Sequence, residues 1–270
     1  TITIFQNQEL KVWMGTLVHA TDEDPLLVMS DMLIGLQGNK IIFVEEKHKL
    51  KQLQNEYGFT ENDIYKMSSS EFLMPGLVDT HIHAAQFPNN GLGMDLTLME
   101  WLPTYIFPQE AMFQDTRFAQ DVYTRCVNRL LRNGTTCASY YGSVHLEASK
   151  ILADSVMVAG QRALVGKVNM MRRCPVECRE GSVQQSLEDT QDFILYVKAL
   201  ESPLVSPCVS PRSAPFCSEE QLSALGHLAS VHECHVQTHL AETLDGCDLV
   251  ASLFPHTTNY THVYNQAQLL

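Results

Sequence analysis

Two histidines stand one residue apart at the end of an apolar run in PGLVDTHIHAAQ, residues 75–86. Side chains alternate along an extended segment, so His81 and His83 project to the same face, about 7 Å apart. Both can turn toward one cation. The run Leu77-Val78 ahead of Asp79 puts the pair at the C-terminal end of a strand, where parallel α/β folds carry their chemistry. A bare His-x-His is more often a surface or packing feature; the Pro-Gly-apolar-apolar-Asp lead-in is what marks it as a site. HVQTHLAE at 235–242 repeats the logic. His239 ends its own run, and Glu242 follows three residues later, placed to move a proton from water. His235 lies a strand step deeper and reads as packing. Three imidazoles with an open coordination position suit a Zn²⁺ that activates water, because zinc brings the pKa of water it holds to about 7.

The elements that must position these groups alternate from residue 75 onward. Apolar or β-rich runs at 76–82, 135–141, 163–169, 204–209 and 234–240 are separated by helical segments. Between 117 and 132, Phe118, Val122, Cys126 and Leu130 recur every four residues, and Gly134 follows as a stop signal. Ser182-x-x-Gln185 and Ser218-x-x-Gln221 have the form of capping boxes. Repeated strand–helix–strand units imply a parallel sheet, either doubly wound or a (β/α)₈ barrel. Residues 1–74 read as a small β-rich domain, with a hairpin turn at Gly38-Asn39 and a short helix near 46–56.

A net charge of −13 excludes a dominant nucleic-acid surface, which needs clustered Lys and Arg. No stretch reaches the roughly 18 apolar residues of a membrane span. The opening TITIFQNQELKVW lacks the basic-then-apolar layout of a signal peptide. The eight cysteines form no C-x-x-C pair and read as ordinary thiols, which points to a reducing compartment, the cytosol. There is no G-x-G-x-x-G, so a dinucleotide fold has no support.

The pattern Pro-Gly-apolar-apolar-Asp-x-His-x-His resembles the first-strand signature of the amidohydrolase superfamily, metal-dependent hydrolases built on a (β/α)₈ barrel with a flanking β-sandwich. HIHAAQ, DLTLMEWLPTYIFPQE, NGTT, RALVGKV, Ser210-Pro211-Arg212, QTHLAE and NYTHVY are similar to the branch that deaminates guanine. The resemblance runs from about Val12 to Leu270; the first dozen residues do not match. It implies one zinc ion per subunit on His81, His83 and His239, with Glu242 as the catalytic proton shuttle. Gln86 and Arg212 would hold the purine, with His83, Ser213, His239 and Glu242 also facing it. The implied reaction is hydrolysis of guanine to xanthine and ammonia, a step of purine catabolism, in a cytosolic homodimer with no nucleic acid or membrane partner.

The sequence departs from the family in three places. Ser213 stands where the family has a Phe to pack on the flat base, and Phe216 is the nearest replacement. Residues 170–181 differ and are expected to form a loop. The family also takes a His from its sixth barrel strand and a zinc-binding Asp from its eighth, and neither strand falls within residues 1–270. The expected fold is therefore α/β, a partial (β/α)₈ barrel over 75–270 with about five of eight strands, preceded by half a β-sandwich over 1–74. Little or no deaminase activity is expected of this polypeptide by itself. Two other readings stand beside the first. One is an inactive family member acting by association with a full-length subunit; the other is an amidohydrolase acting on another purine.

Overall fold

A computed structural model describes residues 9–270, and the chain divides after Gly76 into two units. The opening TITIFQNQ, part of the stretch unlike a signal peptide, lies outside the described residues.

The N-terminal unit is a five-stranded mixed sheet. β1 (Leu10–His19), β2 (Leu27–Gln37) and β3 (Lys40–Glu46) run antiparallel in the order β3-β2-β1. Gly38 takes φ 63° in the β2–β3 turn, a conformation glycine adopts without penalty. The short strands β4 (Ile64–Lys66) and β5 (Phe72–Leu73) both pair parallel to β1. Helix α1 (Leu50–Tyr57) closes one face, burying Leu53 with Val12, Leu33, Phe43 and Phe59.

The second unit is a curled, all-parallel sheet of β6 (Leu77–His83), β7 (Thr135–Tyr141), β8 (Arg162–Asn169), β9 (Val205–Pro211) and β10 (His235–Val236), in sequence order. It is a partial (β/α)₈ barrel. Between β6 and β7 run the short helix α2 (Leu98–Trp101), a π-helical segment Leu102–Ile106, α3 (Phe107–Ala111) and the long α4 (Thr116–Arg132). The crossovers α5 (Leu146–Ala159), α6 (Val183–Ala199) and α7 (Glu219–Val231) follow, then α8 (Leu244–Leu253) and α9 (Tyr260–Gln266). The four-residue repeat foreseen in α4 has a clear cause. Val122, Cys126 and Val127 bury against Leu152 and Val156 of α5 and against Ala138, Tyr140 and Val165 of the sheet. Burial of each large apolar side chain contributes about 1.5–3 kcal/mol, which fixes the helices on the outside of the curl.

Three expectations need correction. The run 234–240 is a regular strand only at His235–Val236. Beyond it the chain still leans on β9, through Gln237 N–H to the Val209 carbonyl at 3.0 Å and His239 N–H to the Arg212 carbonyl at 3.3 Å. The Gln237 side chain turns onto Ser139, Ser210 and the Tyr140 carbonyl. His235 is exposed rather than packed. The two proposed capping boxes are single caps. Ser182 and Ser218 accept from the backbone N–H of Gln185 and Gln221, but those glutamine side chains bond elsewhere. Reciprocal boxes occur instead at Thr97–Glu100 and Thr60–Asp63.

Gly226 of α7 faces the backbone turn after α9, where a methyl group would collide with the Ala267 carbonyl oxygen. Neither partner is a flexible side chain, so Gly226→Ala should destabilise the protein by about 1–3 kcal/mol. A fall in the urea midpoint at constant slope is the expected reading.

Candidate active site

The C-terminal ends of the parallel strands open onto one cavity of about 440 Å³, within the range of small-molecule sites. His81, His83, Gln86, Arg212, Ser213, His239 and Glu242, the residues singled out from the sequence, all line it.

β6 delivers His81 and His83. The backbone N–H of His81 bonds Asp79 at 3.1 Å, and the chain then turns into a 3₁₀ segment, Ala84–Asn89, that buries Ala84 and Ala85 and carries Gln86. His239 arrives from the irregular continuation of β10. The ligand nitrogens of the three histidines lie within 4.8 Å of one another, and His83 Nε2 is 3.0 Å from His239 Nε2. Tyr141, the last residue of β7, is fully buried behind them. Its ring stacks on His83 at 4.5 Å and lies 5.0 Å from His239 and 5.3 Å from His81.

The tautomer of His239 follows from its neighbours. Its Nδ1 lies 2.5 Å from the Arg212 carbonyl oxygen, an acceptor, so Nδ1 carries the hydrogen and Nε2 keeps its lone pair. Burial first, and nearby positive charge second, hold the His83 pKa well below 6.5. Burial also lowers His239 to about 4. Both rings are therefore neutral near pH 7, the form a metal requires. His83 Nδ1 is buried without a hydrogen-bond partner among the described residues. Two nitrogens on one tetrahedral zinc, each about 2.0–2.1 Å from it, stand roughly 3.3 Å apart, close to the His83–His239 spacing. The donor set fits a divalent metal.

These shifts carry a pH signature. In the metal-free protein His83 and His239 stay neutral when folded but gain a proton below about pH 6.5 once unfolded. The unfolded state then binds more protons, so stability must fall as pH drops from about 6.5 toward 4. The slope approaches about 1.4 kcal/mol per pH unit for each group. Thermal unfolding of chelator-treated protein at pH 7.5 and pH 5 is expected to show it, and His239→Gln is expected to flatten the dependence.

Arg212 follows β9 and is 4 % exposed, although it carries a charge. Such a cation needs a partner, and Glu110 of α3 is that partner. Arg212 Nη1 donates to Glu110 Oε2 at 2.7 Å and to Oε1 at 3.0 Å, and Gln86 Nε2 donates to the same Oε1 at 3.1 Å. The guanidinium also lies 5.6 Å from the Phe107 ring and 5.8 Å from that of Phe216. Ser213 lies in extended backbone and bridges to His239, so it offers the cavity no aromatic face. Phe216, in the next turn, lines the cavity in its own right. Glu242 is exposed at the cavity mouth, just after Ala241, whose φ of 51° turns the chain there. In the loop expected over 170–181, Arg173 also reaches the cavity.

Sequence reasoning missed Glu110, Tyr141 and Tyr264. The Tyr264 hydroxyl donates to the His239 carbonyl at 2.6 Å and accepts from the Ala214 N–H at 2.9 Å, tying α9 to both loops that carry the site. A carboxylate inside the apolar stretch LPTYIFPQEAMF was the available signal for Glu110, since an acid among large apolar residues calls for a buried cation.

The amidohydrolase family profile matches residues 72–270. Guanine deaminase of Mus musculus is 42% identical over 260 residues, covering 96% of this chain and 57% of its own length. That of Pongo abelii is 41% identical with the same coverage. A crystal structure of guanine deaminase from C. acetobutylicum, with guanine bound in its active site, superposes with a TM-score of 0.89 at 34% identity. It is matched over 97% of this chain and 60% of its own. The chain thus spans under two thirds of the length of these relatives.

Proposed function

This chain belongs to the amidohydrolase family, and from that premise we propose that it serves the hydrolytic deamination of guanine to xanthine and ammonia. The observation that carries the reading is the convergence of three histidines, Glu242 and the Gln86–Arg212 pair on one cavity. The likeness to guanine deaminases at about 40% identity supports it from a separate direction.

In this reading His81, His83 and His239 hold one Zn²⁺ per subunit, and the ion supplies Lewis acidity that makes hydroxide available near neutral pH. Arg212 donates to the purine carbonyl, Gln86 holds the neighbouring ring edge, and the Phe216 ring borders the base in place of the aromatic that Ser213 lacks. His83, Ser213 and His239 contact the bound base. Glu242 takes a proton from the attacking water and passes it to a ring nitrogen. The oxygen joins the carbon bearing the amine, the C–N bond breaks, and the amine leaves as ammonia with the remaining proton. Proton transfer of this kind contributes about 10²–10⁴-fold.

Among the described residues no helix is long and apolar enough to cross a membrane. The reading places the protein in the cytosol as a homodimer, which fractionation and sedimentation check. The defining experiment is an assay of the natural protein with guanine. Xanthine and ammonia in equal amounts support the reading; an unchanged guanine pool with folded, zinc-loaded protein contradicts it.

A further inference from the structure

Glu110 does not line the cavity, yet it touches the two residues that would read the base. It is 3 % exposed and sits on α3, directly after the π-helical segment Leu102–Ile106. Segments of this kind often mark functional positions, because they rotate the following residues out of register with the helix before them. One carboxylate here joins three parts of the chain: the 3₁₀ turn after β6, α3, and the end of β9.

The chemistry of the partners makes this contact directional. A carboxylate only accepts hydrogen bonds, so it holds Gln86 by the amide nitrogen. With one amide hydrogen held by Glu110, the carbonyl oxygen is the acceptor that the Gln86 side chain offers a ligand, beside the second amide hydrogen. Arg212 spends Nη1 on both carboxylate oxygens. Among the described residues its remaining donors, on Nε and Nη2, have no hydrogen-bond partner, which leaves them for the same ligand. The cavity wall therefore presents an acceptor beside a donor. Its complement is a ring edge with N–H next to C=O, a lactam, and not the reversed edge of an aminopyrimidine, where a ring nitrogen sits next to an amino group.

Resting on the purine reading, we propose that Glu110 is a positioning residue that fixes the donor–acceptor polarity of the purine-reading wall by locking the Gln86 amide and the Arg212 fork together. In Glu110→Gln the new amide can donate to the Gln86 carbonyl, so the Gln86 amide is free to reverse and the polarity is no longer set. Glu110→Asp keeps an acceptor-only group and so keeps the polarity.

The test compares binding of hypoxanthine, which has the lactam edge, with adenine, which has the reversed one. Both lack the 2-amino group, so the proposed reaction leaves them unchanged in calorimetry with zinc-loaded protein. The wild type is expected to prefer hypoxanthine by about tenfold or more, the scale of one mispaired buried group. Glu110→Gln should bring the ratio near one, Gln86→Ala should do the same, and combining them should add nothing. Glu110→Asp should retain the preference while weakening both ligands alike. A folded Glu110→Gln protein with the wild-type ratio would overturn the proposal. So would a wild-type ratio in Gln86→Ala, a variant that leaves the buried Arg212–Glu110 pair intact. Wild-type protein that binds neither base would overturn the purine reading itself, and this proposal with it.

Discussion

Replacing Glu242 by Gln is expected to lower guanine turnover by about 10²–10⁴-fold while leaving guanine binding nearly unchanged. The amide keeps the size of the side chain and its place at the cavity mouth but can no longer take a proton from water. Glu242 stands apart from the groups proposed to hold the base. Arg212 and Gln86 are fixed by Glu110, and His239 is fixed by the Arg212 carbonyl and Tyr264, with no contact to Glu242 in any of these bonds. A loss confined to kcat is therefore the signature of a proton carrier. A matching rise in KM with kcat preserved would assign Glu242 to binding instead.

The second large effect is on the metal. His83→Ala should weaken zinc binding by at least about 100-fold, beyond the 10–100-fold typical of losing a supporting contact around a metal. His83 is proposed as one of three ligands and lies close to both of the others. Its Nε2 lies 3.0 Å from that of His239, and its ring centroid is 5.1 Å from that of His81. Tyr141 stacks on it with an interplanar angle of 17°, which holds the ring in place. Competition with a chromogenic chelator gives the affinity directly. Retention of one tightly held zinc per chain by the Ala variant would remove His83 from the site. Tyr141→Leu should give a smaller loss, since it removes the backing of the ring and leaves all three nitrogens.

The parts of this site written in short range were legible in the sequence. His81 and His83 announce themselves because strand alternation and a Pro-Gly entry act within a dozen residues, and the same holds for His239 and Glu242. The five parallel strands were legible because alternating apolar runs and four-residue helical repeats each report a buried face. What was hidden depends on contacts across the fold. Glu110 lies 102 residues from the arginine it holds, and nothing local to the helix names that partner. Tyr141 looked like one more β-forming residue in TTCASYY, because only the closed register beside His83 turns its ring into a wall for the histidines. The strand expected at 234–240 failed for a related reason. Its alternation is real, but past Val236 the backbone keeps only single bonds to the β9 side, from Gln237 to Val209 and from His239 to Arg212.

Zinc dependence of guanine hydrolysis by the natural protein tests the account most directly. Chelation should abolish formation of xanthine and ammonia, and restoring one equivalent of Zn²⁺ should return both products in equal amounts. Undiminished hydrolysis by the metal-stripped protein would contradict the metal-holding role of His81, His83 and His239, and zinc-loaded folded protein that leaves guanine untouched would contradict the proposed reaction.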